Sequence, residues 1–330
     1  MELCFIECGG YKMEINIRIG VIGVGGIGEL LLSEFLTHPR TDVIGIYDAN
    51  PSRLKTIGEK YQVPIFHHYI DLIEDERINF VYLAVPPMFH HSIAMEVIKR
   101  KKHIICEKPL ANSNREAEEL FLEANNRNVI HVMHFPTIYR TSYLTLREYL
   151  SKGAIGDLQR VEIQCYFPEW PRPWQQNNWI SSREQGGFIR EVFPHFIQMV
   201  QMLFGKIDIH FSSVRFPEET EKCETGIMAI GQINDHIPIL FNGVSGVGQL
   251  EDITFTLMGN TGVLSLENWR SLSIRSRVTP CETIPLSQSK HLQTFIDEII
   301  KKAETGDSMT VSFHEGVEVQ KVLEKLLGNN

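Results

Sequence analysis

Residues 17–28 read IRIGVIGVGGIG, and this stretch decides the fold of the amino-terminal half. The run Ile17–Ile22 is apolar and rich in β-branched residues, which is typical of a buried parallel strand. Residues 23–28 fit the pattern GxGxxG, and an amphipathic helix is expected to begin near Ile27. A strand, a glycine-rich turn and a helix in this order predict a dinucleotide-binding unit.

Each residue of the glycine turn has an expected task. Gly23 permits the tight turn, Gly25 lets the backbone approach a pyrophosphate, and Gly28 allows the helix to pack closely on the strand. Gly26 and Ile27 complete the loop and open the helix, whose N-terminal amides would face the anion. All five are predicted to contact the cofactor.

The second strand is expected at Val43–Tyr47 and ends at Asp48, 20 residues beyond Gly28. A carboxylate at this point can accept hydrogen bonds from the adenosine ribose and would repel a 2′-phosphate. The sequence therefore predicts NAD as the cofactor. Arg53, five residues further on, would soften this preference, so NADP stays open.

The sequence up to residue 134 alternates short apolar runs with helical stretches, which indicates parallel βαβ units. Residues 13–134 are therefore predicted to form a Rossmann domain with a doubly wound parallel sheet, and residues 1–12, ahead of Met13, an N-terminal extension. Strands are expected at Ile17–Ile22, Val43–Tyr47, Phe80–Ala84, His103–Cys106 and Val129–Met133. Helices are expected at Ile27–Leu36, Ser52–Tyr61, His90–Arg100 and Asn114–Asn126, the last capped by Ser113.

Residues 135–330 have a different sequence pattern, in which short strand-like runs are separated by turn residues, as in hairpins. They predict an α+β domain with a largely antiparallel open sheet, which would bind the substrate and mediate oligomerisation. Strands are expected at Gln159–Tyr166, Gly226–Ile233, Ile237–Ser245, Ile253–Met258, Val263–Leu266 and Leu272–Ile274. Helices are expected at Tyr143–Leu150, Glu191–Leu203, His291–Ala303 and His314–Leu327.

Composition excludes several classes of protein. The chain has 32 Lys and Arg against 41 Asp and Glu, a formal charge of −9, which argues against binding to nucleic acid or an anionic membrane. Six cysteines without a CxxC pair fit a reducing compartment, and no transmembrane or signal segment is recognised, so a cytoplasmic protein is expected. The histidines lack partners at metal-ligand spacing, and we predict no metal site.

Two segments, residues 84–90 with sequence AVPPMFH and residues 106–111 with sequence CEKPLA, directly follow predicted strands. They would lie at the carboxyl edge of the sheet, where open α/β sheets bind ligands. Pro86, His90, Glu107 and Lys108 are therefore candidate cofactor residues, and Lys108 could reach a nicotinamide and its substrate. Read alone, Lys108 could equally be a solvated lysine before a turn proline.

These motifs, with the turn GAIG at residues 153–156 and GGFIREVFPHF at residues 186–196, resemble the glucose-fructose oxidoreductase / inositol 2-dehydrogenase family (Gfo/Idh/MocA). The likeness runs from Ile17 to the end of the chain. It implies hydride transfer between NAD(P) and a hydroxyl or carbonyl of a sugar, polyol or related small molecule. It also implies a homodimer or homotetramer built on the carboxyl-terminal sheet.

The resemblance implies three catalytic residues. Lys108 matches the family's EKP lysine, which orients the reacting hydroxyl and assists proton transfer, and His195 matches a general acid/base. Glu191 stands where the family usually has Asp, and it would orient His195 from one helical turn away. Because Pro194 suits only a first helical turn, the helix is expected to start between Glu191 and Pro194. Phe193 replaces the family's Gly and Gln198 a frequent Asp, and these departures, with Glu191, argue against a standard inositol or glucose substrate.

A segment with three of the four tryptophans, residues 169–179, lies between the predicted domains. Arg172, Trp174 and Trp179 could hold a polar ring by stacking and hydrogen bonds, or could pack a domain or subunit interface. Arg190 could pair with Glu191 or bind an acidic substrate group. The alternatives to a dehydrogenase are an NAD-dependent glycosidase and a non-catalytic nucleotide-sensing regulator on the same fold.

Overall fold

The computed structural model describes residues 16–175 and 177–328, so the predicted extension at residues 1–12 lies outside the described residues. The amino-terminal half contains a sheet of five parallel strands in the order β2-β1-β3-β4-β5. The strands are β1 (Ile17–Ile22), β2 (Thr41–Tyr47), β3 (Phe80–Leu83), β4 (His103–Glu107) and β5 (His131–His134). The predicted doubly wound parallel sheet is confirmed.

Five helices connect these strands: α1 (Gly26–Thr37), α2 (Pro51–Tyr61), α3 (Tyr69–Glu74), α4 (His90–Lys99) and α5 (Asn114–Asn126). The side chain of Ser113 accepts a hydrogen bond from the Glu116 N–H, as predicted for the start of α5. Helix α3 was not predicted, because six residues are too few to show a helical period.

Strand β1 has β2 on one side and β3 on the other, so the chain leaves β1 in one direction and returns in the other. Such a reversal opens a crevice at the carboxyl ends of the strands. Among the described residues, a single parallel bridge between Ile46 and Ile65 extends the sheet beyond β2. The glycine turn follows β1 and therefore lies directly at the crevice.

The second half contains an eight-stranded sheet in the order β13-β12-β11-β10-β6-β9-β8-β7. Only β6 and β9 pair in parallel, and the predicted, largely antiparallel sheet is confirmed. Its strands are β6 (Leu158–Phe167), β7 (Ile207–Arg215), β8 (Gly226–Ile233), β9 (Ile237–Ser245), β10 (Asp252–Gly259), β11 (Gly262–Glu267), β12 (Ser271–Ser276) and β13 (Glu282–Ile284). The helices of this half are α6 (Thr141–Ser151), α7 (Phe188–Phe204), α8 (His291–Thr305) and α9 (Phe313–Leu326).

The two faces of this sheet differ in chemistry. The inner face packs against α7 through aromatic pairs, in which Phe193 contacts Phe241 and Phe196 contacts Phe255. The outer face is exposed, and near the β7–β8 edge it is apolar. Phe211, Met228 and Ile230 are 57%, 66% and 50% exposed, and Phe211 lies directly opposite Ile230.

Helix α7 begins earlier than predicted, at Phe188 rather than between Glu191 and Pro194. The buried carboxylate of Glu224 accepts a hydrogen bond from the Ile189 N–H at 2.7 Å and so supplies a partner for the first turn. Pro194 therefore lies inside the helix, where its missing N–H leaves the Arg190 carbonyl without its helical donor.

The carboxyl-terminal helices return to the first sheet. Met133 in β5 donates a backbone hydrogen bond to the Val311 carbonyl, just before α9, at 2.7 Å. Helix α9 then packs against α5 and α7, one helix from each half. This arrangement fixes α7 relative to the carboxyl edge of the parallel sheet.

Candidate active site

The glycine turn has a closed side and an open side. A Cβ on Gly23, whose φ is +92°, would lie 2.3 Å from the Ala84 carbonyl, and one on Gly28 would lie 2.0 Å from the Gly23 carbonyl. No side chain fits at these two positions. A Cβ on Gly26 would meet no atom within 4 Å, and Ile27 is 47% exposed. The N-terminal turn of α1 therefore presents its backbone to open space, as an anion cradle requires.

Asp48 lies beside this cradle at the end of β2. Its Oδ2 accepts a hydrogen bond from the Val24 N–H at 2.9 Å, and its Oδ1 accepts one from the Asn50 N–H at 2.8 Å. The Nη1 of Arg53 is 3.4 Å from Oδ2, which places the guanidinium between Asp48 and Gly25. The structure thus brings the carboxylate and the arginine to the same side of the glycine turn.

Lys108 and Glu191 form an ion pair between the two halves of the chain. The Lys108 Nζ donates to the Glu191 Oε1 at 2.9 Å and to the Glu191 carbonyl at 3.2 Å. The two side chains are only 11% and 14% exposed. The pair brings the loop after β4 against the first turn of α7.

His195 lies one turn further along α7. We expected Glu191 to orient its ring, but the two side chains do not pair. Its ring lies edge-to-face between Phe135 and Trp269, with ring centroids 5.7 Å apart in both cases. Its Nδ1 is buried and has no hydrogen-bond partner in the described part of the chain. Glu191 is long enough to reach Lys108 instead, so His195 is left without a carboxylate.

The surroundings of His195 keep its imidazole neutral. Burial lowers the pKa of His195 well below 6.5, and the neighbouring charges of Lys108, His134 and Arg140 lower it further. A neutral imidazole near pH 7 has a free ring nitrogen that can accept a proton.

Glu107 and His90 are held by the protein itself. The Glu107 carboxylate accepts hydrogen bonds from the Tyr82 hydroxyl at 2.7 Å and from the His134 Nδ1 at 2.5 Å. Burial alone would raise the pKa of Glu107, but His134 and these hydrogen bonds lower it overall. The Glu107 side chain therefore binds Tyr82 and His134, two groups of the parallel sheet itself.

The buried His90 ring lies between two backbone carbonyls. Its Nδ1 is 2.8 Å from the Pro109 carbonyl oxygen, and its Nε2 is 2.8 Å from the Val85 carbonyl oxygen. His90 therefore ties the loop after β3, which includes Pro86, to the loop after β4, which includes Lys108. Its contribution to the site is to hold these loops in place.

Within the tryptophan-rich segment, Arg172 is bound by other groups of the protein. The Arg172 guanidinium donates to both carboxylate oxygens of Glu251, at 2.6 and 3.2 Å, and lies over the rings of Phe167, Trp170 and Trp174. Trp174 is 68% exposed. Trp179 lies in a short 3-10 turn, Asn178–Ser181, and is partly buried.

Arg190 does not pair with Glu191. Its Nη1 donates to the carbonyls of Arg183 and Gly186, at 3.3 and 3.4 Å. Burial lowers the pKa of Arg190, and the nearby charge of Glu224 opposes that effect. Arg190 thus belongs to the support of the α7 N-terminus.

Two family models match the chain in order. Residues 17–135 match "Oxidoreductase family, NAD-binding Rossmann fold", and residues 143–265 match the GFO/IDH/MocA C-terminal domain. The chain belongs to the Gfo/Idh/MocA oxidoreductase family. The predicted family and its NAD-binding domain are thereby confirmed.

Individual members of the Gfo/Idh/MocA family are distant in sequence. YrbE of Bacillus subtilis, named an uncharacterized oxidoreductase, is 27% identical over 194 residues, which cover 58% of this chain and 55% of YrbE. Levoglucosan dehydrogenase of Pseudarthrobacter phenanthrenivorans is 25% identical over 206 residues, 58% of this chain and 52% of that enzyme. The chain spans about half the length of the first two curated relatives it matches.

Solved Gfo/Idh/MocA structures share the fold over nearly the whole chain. KijD10, a 3-ketoreductase from Actinomadura kijaniata solved with NADP and TDP-benzene, has a TM-score of 0.84 at 18% identity, covering 95% of this chain and 98% of KijD10. A levoglucosan dehydrogenase solved with NADH and L-sorbose has a TM-score of 0.81 at 18% identity, covering 96% of each chain. At this identity the likeness shows the fold.

Sequence reasoning missed the residues that surround His195 from the far side. They are Arg140 and Trp269, and beside Arg140 lie Arg270 and His291. Trp269 occupies the β11–β12 turn with a positive φ of 66°, an unusual conformation for tryptophan, so no turn pattern could have found it.

Within residues 16–175 and 177–328, no helix is long and apolar enough to cross a membrane. The same residues contain no group of three or more His, Cys, Asp or Glu side chains placed to hold a metal ion.

The Glu224 carboxyl gives the protein a pH-dependent stability that can be measured. Burial raises its pKa above the ordinary 4.5, although the Ile189 N–H opposes that effect. Above pH 4.5 the unfolded chain loses this proton while the folded protein retains it, so Glu224 makes stability fall as pH rises toward its folded pKa.

We expect Glu224→Gln to remove that decline. The free energy of unfolding of the variant, measured relative to that of the parent, should therefore increase as pH rises above 4.5. Urea unfolding at a series of pH values measures the difference. Glu219→Gln, which changes an exposed carboxyl of the same segment, is the control. A constant difference between Glu224→Gln and the parent would show that the carboxyl does not titrate abnormally.

Proposed function

We propose that the protein is an NAD(P)-dependent dehydrogenase or reductase that transfers a hydride to or from a hydroxyl or carbonyl carbon of a sugar, polyol or related small molecule. One observation carries the proposal. The Lys108 ammonium and the neutral His195 imidazole lie together at the carboxyl edge of a sheet whose first turn is an open anion cradle. Hydride transfer between a nicotinamide and a CH–OH group needs both a dinucleotide site and an adjacent proton acceptor.

The residues present fit a nicotinamide dinucleotide. The open backbone at Gly25 and Gly26 would take the pyrophosphate at the start of α1, and Asp48 would take the adenosine ribose. Arg53 and Pro86 line the same crevice in our proposal, while Glu107 and His90 support it from beneath. When bound, the nicotinamide supplies the hydride acceptor or donor.

The protein's own groups manage the substrate and its proton. The Lys108 Nζ donates a hydrogen bond to the reacting oxygen and holds it in place. A ring nitrogen of His195 takes the hydroxyl proton during oxidation, or returns it during reduction. Glu191 keeps the Lys108 ammonium positioned and balances its charge, so the lysine remains a donor in a site with little water.

The names of relatives support the substrate class. The levoglucosan dehydrogenase was solved with L-sorbose and the KijD10 ketoreductase with TDP-benzene, both with a nicotinamide cofactor. None of these names favours the glycosidase or the regulator. A nucleotide sensor also has no use for a lysine and a neutral histidine in the same site.

The first test replaces the proposed donor. Lys108→Ala should lower turnover by roughly 10²–10⁴-fold, because the reacting oxygen loses its charged partner, while NADH still binds. The assay follows NADH or NADPH absorbance with NAD⁺ or NADP⁺ and a panel of polyols, aldoses and hydroxy acids. Lys152→Ala, an exposed lysine at the end of α6, is the matched control. Full turnover in Lys108→Ala, or no turnover of any compound by the parent, would contradict the proposal.

Asp48 sets the cofactor preference that we propose. The carboxylate is only 7% exposed and is held by two backbone N–H groups, so it cannot turn away from a 2′-phosphate. We expect NADH to bind more tightly than NADPH, and Asp48→Asn to reduce the preference by about tenfold. Fluorescence titration with each nucleotide gives the affinities, and Asp71→Asn on the exposed face of α3 is the control. Tighter binding of NADPH by the parent would refute this assignment.

We propose further that the protein is cytoplasmic and forms a homodimer or homotetramer. The described cysteines are free, which suits a reducing compartment. The apolar patch of Phe211, Met228 and Ile230 on the outer sheet face is the surface that a second copy would cover.

A charge on that patch should separate the subunits. Ile230→Glu places a carboxylate at the centre of the patch, and burying it against a second copy without a partner would cost several kcal/mol. Sedimentation velocity should then report a monomer for Ile230→Glu and an oligomer for the parent. Leu250→Glu, at a residue that is 88% exposed, is the control. A monomeric parent would rule out the proposed assembly.

A further inference from the structure

Arg140 lies near His195, and Arg270 lies near Arg140. Neither arginine has an acidic partner within the described residues. The Arg140 guanidinium makes no hydrogen bond or ion pair within the described residues, and its Nε is buried. Arg270 follows Trp269 in the β11–β12 turn, and its side chain is equally unpaired in that part of the chain. Burial lowers the pKa of Arg140, and the charge of Arg270 lowers it further, so the two cations are close enough to repel each other.

Several elements bring these cations to one side of His195. The Ser142 hydroxyl, in the first turn of α6, donates to the Trp269 carbonyl at 2.8 Å and so ties the Arg140 segment to the β11–β12 turn. The Trp269 ring in turn contacts His195 edge-to-face. Arg140 and Arg270 therefore lie on two segments that meet at Trp269, beside His195.

His291, at the start of α8, lies close to the charges of Arg140 and Arg270. Burial lowers its pKa to about 4, and the charges of Arg140, His134 and Arg270 contribute to the shift. Helix α8 packs on the 3-10 turn Pro136–Tyr139 just before Arg140. A neutral His291 adds a hydrogen-bonding group beside the two arginines.

The other basic side chains around the site are paired with carboxylates. Lys108 is paired with Glu191 at 2.9 Å, and Arg172 is paired with Glu251 at 2.6 Å. His134 is bound to the carboxylate of Glu107. The chain as a whole carries a formal charge of −9, so carboxylates are abundant. A partly buried arginine without a carboxylate partner is costly to the protein on its own, which favours a ligand that supplies the anion.

The pyrophosphate of the cofactor is not that anion. The cradle for it follows β1, whereas Arg140 follows β5, three strands away in the same sheet. At about 4.8 Å between neighbouring strands, the separation is on the order of 14 Å. The anion must belong to a second ligand that lies next to His195.

We infer that the substrate carries an anionic oxygen group, a carboxylate or a phosphate, which Arg140 and Arg270 bind beside the reacting carbon. The inference rests on the proposed function and narrows its substrate to hydroxy acids, sugar acids or sugar phosphates. A guanidinium matches both groups, because its fork of N–H donors can bond two anionic oxygens at once.

The experiment compares three hexose derivatives that differ in charge: glucose, glucuronate and glucose 6-phosphate. Calorimetric titration of the NADH-loaded protein measures binding, and NAD⁺ or NADP⁺ reduction measures turnover. We expect glucuronate or glucose 6-phosphate to bind at least about tenfold more tightly than glucose, because charge-assisted hydrogen bonds contribute that much. Which of the two binds identifies the group as carboxylate or phosphate.

Arg140→Gln should abolish the preference for the anionic compound and leave the affinity for NADH unchanged. Arg140→Lys should retain part of the preference. Arg147→Gln, which removes a positive charge from the exposed face of α6, is the matched control and should behave as the parent. If Arg140→Gln does not fold, Arg270→Gln at an exposed position makes the same test.

Three results would overturn the inference: glucose binding as tightly as both anions, no binding of either anion at millimolar concentration, or an Arg140→Gln variant that keeps the preference. The outcome is separate from that of the proposed function. Reduction of the nicotinamide by glucose alone would support the dehydrogenase and reject the anion site. Arg140-dependent anion binding without reduction by any of the three compounds would support the anion site and count against the dehydrogenase.

Discussion

The ion pair between Lys108 and Glu191 is the contact on which the rest of the site depends. It joins the loop after β4 to the first turn of α7, and both side chains are largely withdrawn from water. A buried pair of charges is stable only where its geometry is fixed, because each ion loses its hydration. In the function that we propose, the surrounding structure must therefore hold both partners in place before Lys108 can bind a substrate.

Each partner has its own support. On the lysine side, His90 bridges the carbonyls of Val85 and Pro109, and so connects the loops that follow β3 and β4. On the glutamate side, the Glu224 carboxylate meets the first turn of α7 in place of an N-cap side chain. None of these supporting groups needs to touch a substrate, yet a shift in any of them would move Lys108 relative to His195.

The sequence predicted the parts of this arrangement that depend on local patterns. Strand β1 and helix α5 have the predicted bounds, because a short apolar run and an amphipathic helix with a Ser cap are local signals. The predicted start of α7 was wrong. Pro194 is a local signal for a helix start, but the contact from Glu224, which lies 30 positions further along the chain, outweighs it. Strands β7 and β13 were not predicted, and β13 has only three residues, too few to show a period.

The same distinction holds in the site. Lys108, Glu191 and His195 could be named from motifs, and the structure brings all three to one place. Their pairing could not be predicted, because it depends on which side chain reaches which across two halves of the chain. The positions of Arg140 and Trp269 depend on tertiary packing in the same way.

In our proposal, the anion site also changes how His195 works as a proton acceptor. Burial and the charges of Lys108, His134 and Arg140 keep the pKa of His195 well below 6.5, which makes it a weak base. An anionic substrate bound to Arg140 would compensate that positive charge and raise the pKa of His195 toward its ordinary value. The base would then gain strength when the correct substrate is present. A neutral compound of the same shape would leave His195 a weaker base even if it reached the site, so the two arginines would select substrates through the proton step as well as through binding.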